Sequence, residues 1–248
     1  MTHFRTSATA LETDASQLRA AQLVSRPGTL PTVTIPMAAG RLPDVDELWR
    51  HLAEPAEFFG LAMPRPAELA RVLSGVRHRS PVATTVTIVE DDGATRFAAS
   101  AVTVAPWQPD AVRLAGDAVP QAHRAADPWW RRMAARTTSK GELDQRARWL
   151  AAHGYADAVS EGQPVLGALV FQTTHGLLAV ENPEPTSVLD QLMRSGAITA
   201  LDFAPACPAV FERVWWVSPH YQTHPVAELD GTRCHADSET VPSFARWT

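Results

Sequence analysis

Lysine is nearly missing from this chain of 248 residues. Of 22 basic side chains one, Lys140, carries an amine, and the rest are arginine. Chemistry that needs a side-chain amine therefore has a single residue to use. Cysteine is scarce as well: Cys207 and Cys234 are too few for a disulfide framework, which makes a reducing cytoplasm the expected setting. No apolar run approaches the ~20 residues of a membrane-crossing helix. The opening MTHFRTSATALETDASQL has an early Arg5 but no apolar centre, and is not read as a signal peptide. A net charge of −5 with acids and arginines interspersed gives no basic surface for nucleic acid. Also missing are a G-x-S-x-G elbow, a G-x-x-x-x-G-K phosphate loop and a carboxylate pair, which removes three common hydrolytic and phosphoryl-transfer chemistries.

What is present suits a globular α+β protein. Apolar residues make up 45% and charged residues 20%, enough to build a core. Residues 14–25 read as a short helix stopped by Arg26-Pro27-Gly28. Thr32 to Met37 reads as a strand. Asp46 or Asp44 can cap a helix through ELWRHLAEPAEFFGL, in which Leu48, Leu52, Ala56 and Phe59 recur at helical spacing and Pro55 predicts a kink or break. A second helix spans Pro66 to Arg77. Two Val/Thr/Ala-rich runs, 83–89 and 96–104, flank Asp92-Gly93 and read as a hairpin. The stretch 105–128 holds four prolines in 24 residues and reads as a connection. Ser139 and Glu142 fit a capping box for a helix to His153, with Leu143, Ala147, Leu150 and Ala151 inward and Gly154 as its stop. Later come a strand at 165–173, a return strand at 177–180, a helix at 187–194, a strand at 212–217 and an Asp230-Gly231 turn.

Five segments, in order, resemble class IV aminotransferases and aminodeoxychorismate lyases. They are GRLPDVDELWRHLAEPAEFFGL, PDAVRL, LDQRARWLAAHGYADAV, LGALVFQTTHGLLAVENPEP and VWWVSPHYQTHPVAELDG, lying between Gly40 and Gly231, and the resemblance covers the chain from about Thr29 to the end. The resemblance implies the two-domain fold called type IV among pyridoxal-phosphate enzymes, with a cleft between the domains. It divides the chain into an extension (1–28), a small α+β domain (29–105), a linker (106–130) and a larger α/β domain (131–248). It implies a homodimer and a small carboxylate substrate.

The positions that hold the cofactor in that family differ here. The family spacing back from Gly154 reaches Arg136, and an arginine cannot form the Schiff base to the cofactor. The family's H-x-x-R, whose arginine holds the phosphate, is His51 followed by Glu54. The stretch Pro164 to Phe171 has no acid at the position of the glutamate that meets the pyridine nitrogen. The G-I-T phosphate turn corresponds to Gln191-Leu192-Met193. The resulting expectation is a lyase-like biosynthetic enzyme that acts by elimination, isomerisation or proton transfer without covalent pyridoxal phosphate. One alternative is a working pyridoxal-phosphate aminotransferase or lyase that uses Lys140. Another is a non-catalytic binding or partner subunit.

Candidate residues follow from these positions. Arg136, Thr34 and Lys140 are the catalytic candidates. Arg136 lies at the family's central position, and a threonine near the first strand moves protons in the family's lyases. The capping box sets Lys140 in a helix's first turn, where side chains mostly face water. Arg50, His51, Ser218, His220 and Tyr221 are the substrate-binding candidates, because guanidinium groups suit planar anions and the family places ligand contacts after the late strand. His220-x-x-x-His224, with Cys234-His235 beyond, has metal-like spacing, but Pro219 and Pro225 spoil the helix it would need, and no metal is expected. The pairs Trp129-Trp130 and Trp215-Trp216 read as core or interface packing.

Overall fold

The computed structural model describes residues 29–38, 42–76, 78–91, 94–116, 129–139, 141–160, 162–180, 188–194 and 201–246. The helix expected at 14–25, the Asp92-Gly93 turn and Lys140 lie outside these residues.

The first half of the chain makes a three-stranded antiparallel sheet with two helices on one face. Strand β1 (Thr32–Met37) pairs with β2 (Val82–Asp91), and β2 pairs with β3 (Ala94–Thr103). Side chains alternate across each strand. Val33, Ile35, Met37, Val82, Val86 and Ile88 therefore share one face. They bury against Leu48, Leu52 and Ala56 of α1 (Val45–Phe58) and Leu69 and Leu73 of α2 (Pro66–Gly75). Each such aliphatic side chain, fully buried, contributes about 1.5–3 kcal/mol relative to exposure. The opposite face of β1 and β2 carries Thr32, Thr34, Thr85 and Thr87, and it hydrogen-bonds across the strands.

Helix α1 is capped by Asp44, whose carboxylate accepts from the Glu47 amide at 3.0 Å. The helix runs through Pro55 without ending there, so the expected break is corrected. Pro55 and Ala56 are buried against the sheet, and that packing offsets the missing backbone hydrogen bond.

The second half builds a larger mixed sheet. Among the described residues it has nine strands, in the order β6-β5-β4-β11-β10-β7-β8-β9, with β12 on β11. The strands are β4 (Val112–Ala115), β5 (Asp157–Ser160), β6 (Gln163–Pro164), β7 (Ala168–Thr173), β8 (Gly176–Val180), β9 (Asp202–Ala204), β10 (Arg213–Val217), β11 (Thr223–Leu229) and β12 (Thr232–Arg233). Helices α3 (Trp129–Ala135), α4 (Gly141–Ala152) and α5 (Val188–Arg194) complete this half. The Asp230-Gly231 turn joins β11 to β12, with both residues at positive φ.

Two expectations are corrected in this half. Part of the proline-rich connection is strand β4, which runs parallel between β11 and β5. Four residues between prolines are too short a run for periodicity to reveal, but Leu114 and Ala115 are buried. Helix α4 buries Leu150 and Arg146, while Ala151 is exposed, so its inward face is rotated from the one its apolar residues predict.

The sheets meet where Ala83 and Val104 of the first half join Val170, Leu189, Trp215, Tyr221 and Phe244 of the second. Trp216, one residue on from Trp215, points to the other face, with Leu114, Phe171 and Val226. The second tryptophan pair is not core: Trp129 and Trp130 are 45% and 60% exposed.

Candidate functional site

Pro55 has no amide hydrogen, so the carbonyl of His51, four residues earlier in α1, loses its helical donor. Arg136 takes that place. Its Nη2 donates to the His51 carbonyl and, at 2.8 Å, to Nδ1 of the same residue's ring. Its Nη1 donates to Oε2 of Glu54, three residues further along α1. The Nε of Arg136 is buried and, among the described residues, has no acceptor.

The backbone delivers Arg136 to this point. After α3 the chain pairs with the start of β1: the Thr32 amide donates to the Arg136 carbonyl at 2.9 Å, and the Thr138 amide to the Leu30 carbonyl at 2.8 Å. The guanidinium thus sits against α1, close to the end of α3. The Arg136 side chain is 10% exposed, whereas that of Glu54 is 41% exposed.

The His51 ring stays neutral. Burial, and secondarily the positive charge of Arg136, hold its pKa down at about 3. With Nδ1 accepting from Arg136, the ring proton resides on Nε2. At neutral pH the cluster therefore holds one positive and one negative charge.

Two residues along β1, about 6.6 Å at strand rise, Thr34 meets the second group of candidates. Its hydroxyl pairs with that of Thr85 at 2.9 Å, and its carbonyl accepts from the Tyr221 hydroxyl. Tyr221 lies in the turn between β10 and β11 at φ 65°, in left-handed backbone that is strained for an aromatic residue. Ser218 shapes that turn: its hydroxyl accepts from the amides of His220 at 3.2 Å and Gln222 at 3.0 Å. Burial pushes the Tyr221 hydroxyl far above its ordinary pKa, so it remains a donor.

The fold thus brings Arg136 and His51 together at α1 and, separately, Thr34, Tyr221 and Ser218 together at β1 and the turn after β10. Arg50 and His220 are exposed. The neighbours of Lys140, Ser139 and Gly141, are exposed too.

Two features of consequence were not read from the sequence. One is that Glu54, read there only as a replacement of the family's phosphate-holding arginine, is the carboxylate facing Arg136. The other is Asp157, at the start of β5 and wholly buried. Its carboxylate accepts from the amides of Ala158 at 2.7 Å, Leu166 at 2.9 Å and Gly167 at 2.8 Å, and from the indole of Trp216 at 2.8 Å. A Cβ at Gly167 would collide with Trp216 and Val217, so only glycine brings that amide close enough. Burial raises the Asp157 carboxyl to about pKa 6 against the pull of these four donors. Its position inside an apolar strand is the signal that a close reading could have used, since a buried acid needs partners.

With this geometry in place, comparison with solved structures defines the fold. A hypothetical aminotransferase from Mycobacterium tuberculosis in its PLP-bound form is 18% identical, matches 96% of this chain and 92% of its own, and superposes with a TM-score of 0.61. The same protein with α-ketoglutarate and PMP bound gives 19% identity, the same coverage and a TM-score of 0.56. A putative 4-amino-4-deoxychorismate lyase from Legionella pneumophila gives 12% identity, coverage of 92% and 91%, and a TM-score of 0.55. The chain has the α+β, type IV fold of class IV aminotransferases and aminodeoxychorismate lyases. No protein-family model and no curated protein matches the sequence.

The expectation of a cofactor-free protein is corrected by the same comparison. Solved structures of this fold include PLP-bound and PMP-bound forms, and substituted motif residues do not establish the cofactor's absence here. Among the described residues no helix is long and apolar enough to cross a membrane.

Proposed function

We infer that this chain is a pyridoxal-phosphate aminotransferase or lyase of the class IV type, acting on a small carboxylate-bearing amino or oxo acid. The observation that supports this reading is a match over 96% of the chain to an aminotransferase whose structures include PLP-bound and α-ketoglutarate-and-PMP-bound forms. The residues present fit the anionic end of such a pair of ligands. Arg136 offers a buried guanidinium whose Nε has no acceptor among the described residues, and neutral His51 stands beside it. The amine is assigned to Lys140, the only lysine, four residues beyond Arg136.

When bound, pyridoxal phosphate supplies an aldehyde that takes up an amino group and a ring that accepts electrons. The chain's own residues contribute orientation. Arg136 holds an oxyanion by charge-assisted hydrogen bonds. The neutral His51 ring and the carbonyl freed by Pro55 fix the guanidinium's direction. Tyr221 pins β1 to the larger sheet at Thr34, which fixes the threonine face opposite. The Thr34 hydroxyl is the candidate proton carrier at this face. Homodimer assembly belongs to the same reading, with exposed Trp129 and Trp130 as the contact.

The visible spectrum with added cofactor tests this. A band that saturates with pyridoxal phosphate and is lost in Lys140→Arg is expected; a spectrum equal to free cofactor in both proteins contradicts it.

A second reading, a non-catalytic binding or partner subunit of the same fold, is favoured by one observation. Arg136 already has an internal counter-ion in Glu54. Absence of turnover with any amino-acid and oxo-acid pair, alongside tight binding of a partner chain, would select it.

A further inference from the structure

We propose that Glu54 is an internal anion seated in the oxyanion position of Arg136, and that a ligand's carboxylate or phosphate binds there by displacing it. The inference rests on the reading above only in taking Arg136 to meet a ligand's oxyanion.

The argument starts from an asymmetry. Arg136 is buried and held from two other directions, by the His51 ring and by the His51 carbonyl that Pro55 leaves open. Glu54 is 41% exposed, and among the described residues its carboxylate has Arg136 as its single hydrogen-bond partner. If the pair opens, the guanidinium stays in place and the glutamate swings into water. A buried guanidinium without a counter-ion is costly, so the vacancy favours an anion. Glu54 engages Nη1 alone, through one carboxylate oxygen. An incoming anion that is not tethered to α1 can align on the Nη1 hydrogens without that constraint. His51 does not compete for protons: burial and Arg136 keep it neutral at about pKa 3. The site is thus closed by its own side chain and opens only for an anion that outbids it.

Calorimetric titration of the full chain with succinate and, separately, with inorganic phosphate tests this at pH 7. Glu54→Gln keeps the shape but removes the charge, and is expected to bind at least one probe about tenfold or more tightly than the parent, the factor that a difference of ~1.4 kcal/mol produces. Glu54→Gln combined with Arg136→Gln is expected to bind neither. Preference for succinate assigns the seat to a carboxylate, and preference for phosphate to a phosphate group. Should Glu54→Gln fail to fold, Glu54→Asp, which withdraws the carboxylate by one methylene, must still bind more tightly than the parent. Equal affinities of parent and variant, or binding that survives loss of Arg136, overturn the proposal. A gain in anion binding without any cofactor band leaves the latch and removes the cofactor reading; a cofactor band without that gain does the reverse.

Discussion

Arg136 donates to the carbonyl that Pro55 leaves open on His51. A helix defect and a side chain 81 positions later in the sequence are one structural unit. Arg136→Ala strips a buried carbonyl and a ring nitrogen of their donor at once, and is expected to cost about 1–3 kcal/mol. In a Pro55→Ala background the alanine amide can satisfy the carbonyl, so the same substitution should cost less. Urea unfolding of the four proteins measures the coupling; strictly additive effects would show that the two residues are independent.

Much of this was legible and the decisive part was not. Thr32–Met37, the β2–β3 hairpin and α1 follow from alternation, turn chemistry and an Asp cap, and the family order predicted the fold. Pro55 was legible as a defect in α1. Its partner was not, because no local signal says which distant guanidinium will reach a vacant carbonyl. Asp157 was hidden for the same reason: its donors come from Leu166, Gly167 and Trp216, brought together only by the sheet. Strand β4 was hidden by its length and by the prolines on either side of it.

Asp157 makes a pH prediction. Its folded pKa, about 6, is raised above the ordinary 3.8. The native state therefore holds this proton more tightly than the unfolded chain does, and this group's contribution is fully present below about pH 4 and lost as pH rises through about 6. Stability of the wild type relative to Asp157→Asn should fall between these values. A difference that stays flat, or rises, across this window contradicts the assignment.

His51 titrates in the opposite sense. Its folded pKa lies below the ordinary 6.5, so the stability it contributes is present above about 6.5 and lost as pH falls toward 3. Its ring carbon resonances should show no protonation step between pH 8 and 4. A midpoint near 6.5 would mean that the ring is neither buried nor beside Arg136.

Tyr221→Phe removes the donor to the Thr34 carbonyl while keeping the ring, and should cost about 1–3 kcal/mol in unfolding free energy. A change below ~0.3 kcal/mol, within ordinary surface-substitution scatter, would show that this contact does not pin β1.

The exposed tryptophans predict assembly. Light scattering at micromolar concentration should give a dimer, and Trp129→Ser with Trp130→Ser should shift it toward monomer. A monomeric parent protein would remove these residues from any interface between copies.

We propose that this fold works here with pyridoxal phosphate on Lys140, its one lysine. Borohydride reduction of the chain incubated with the cofactor, followed by mass spectrometry of its peptides, tests this. A single pyridoxyl group on Lys140 is expected. Peptides without an adduct at saturating cofactor, from a protein shown to be folded, would contradict it.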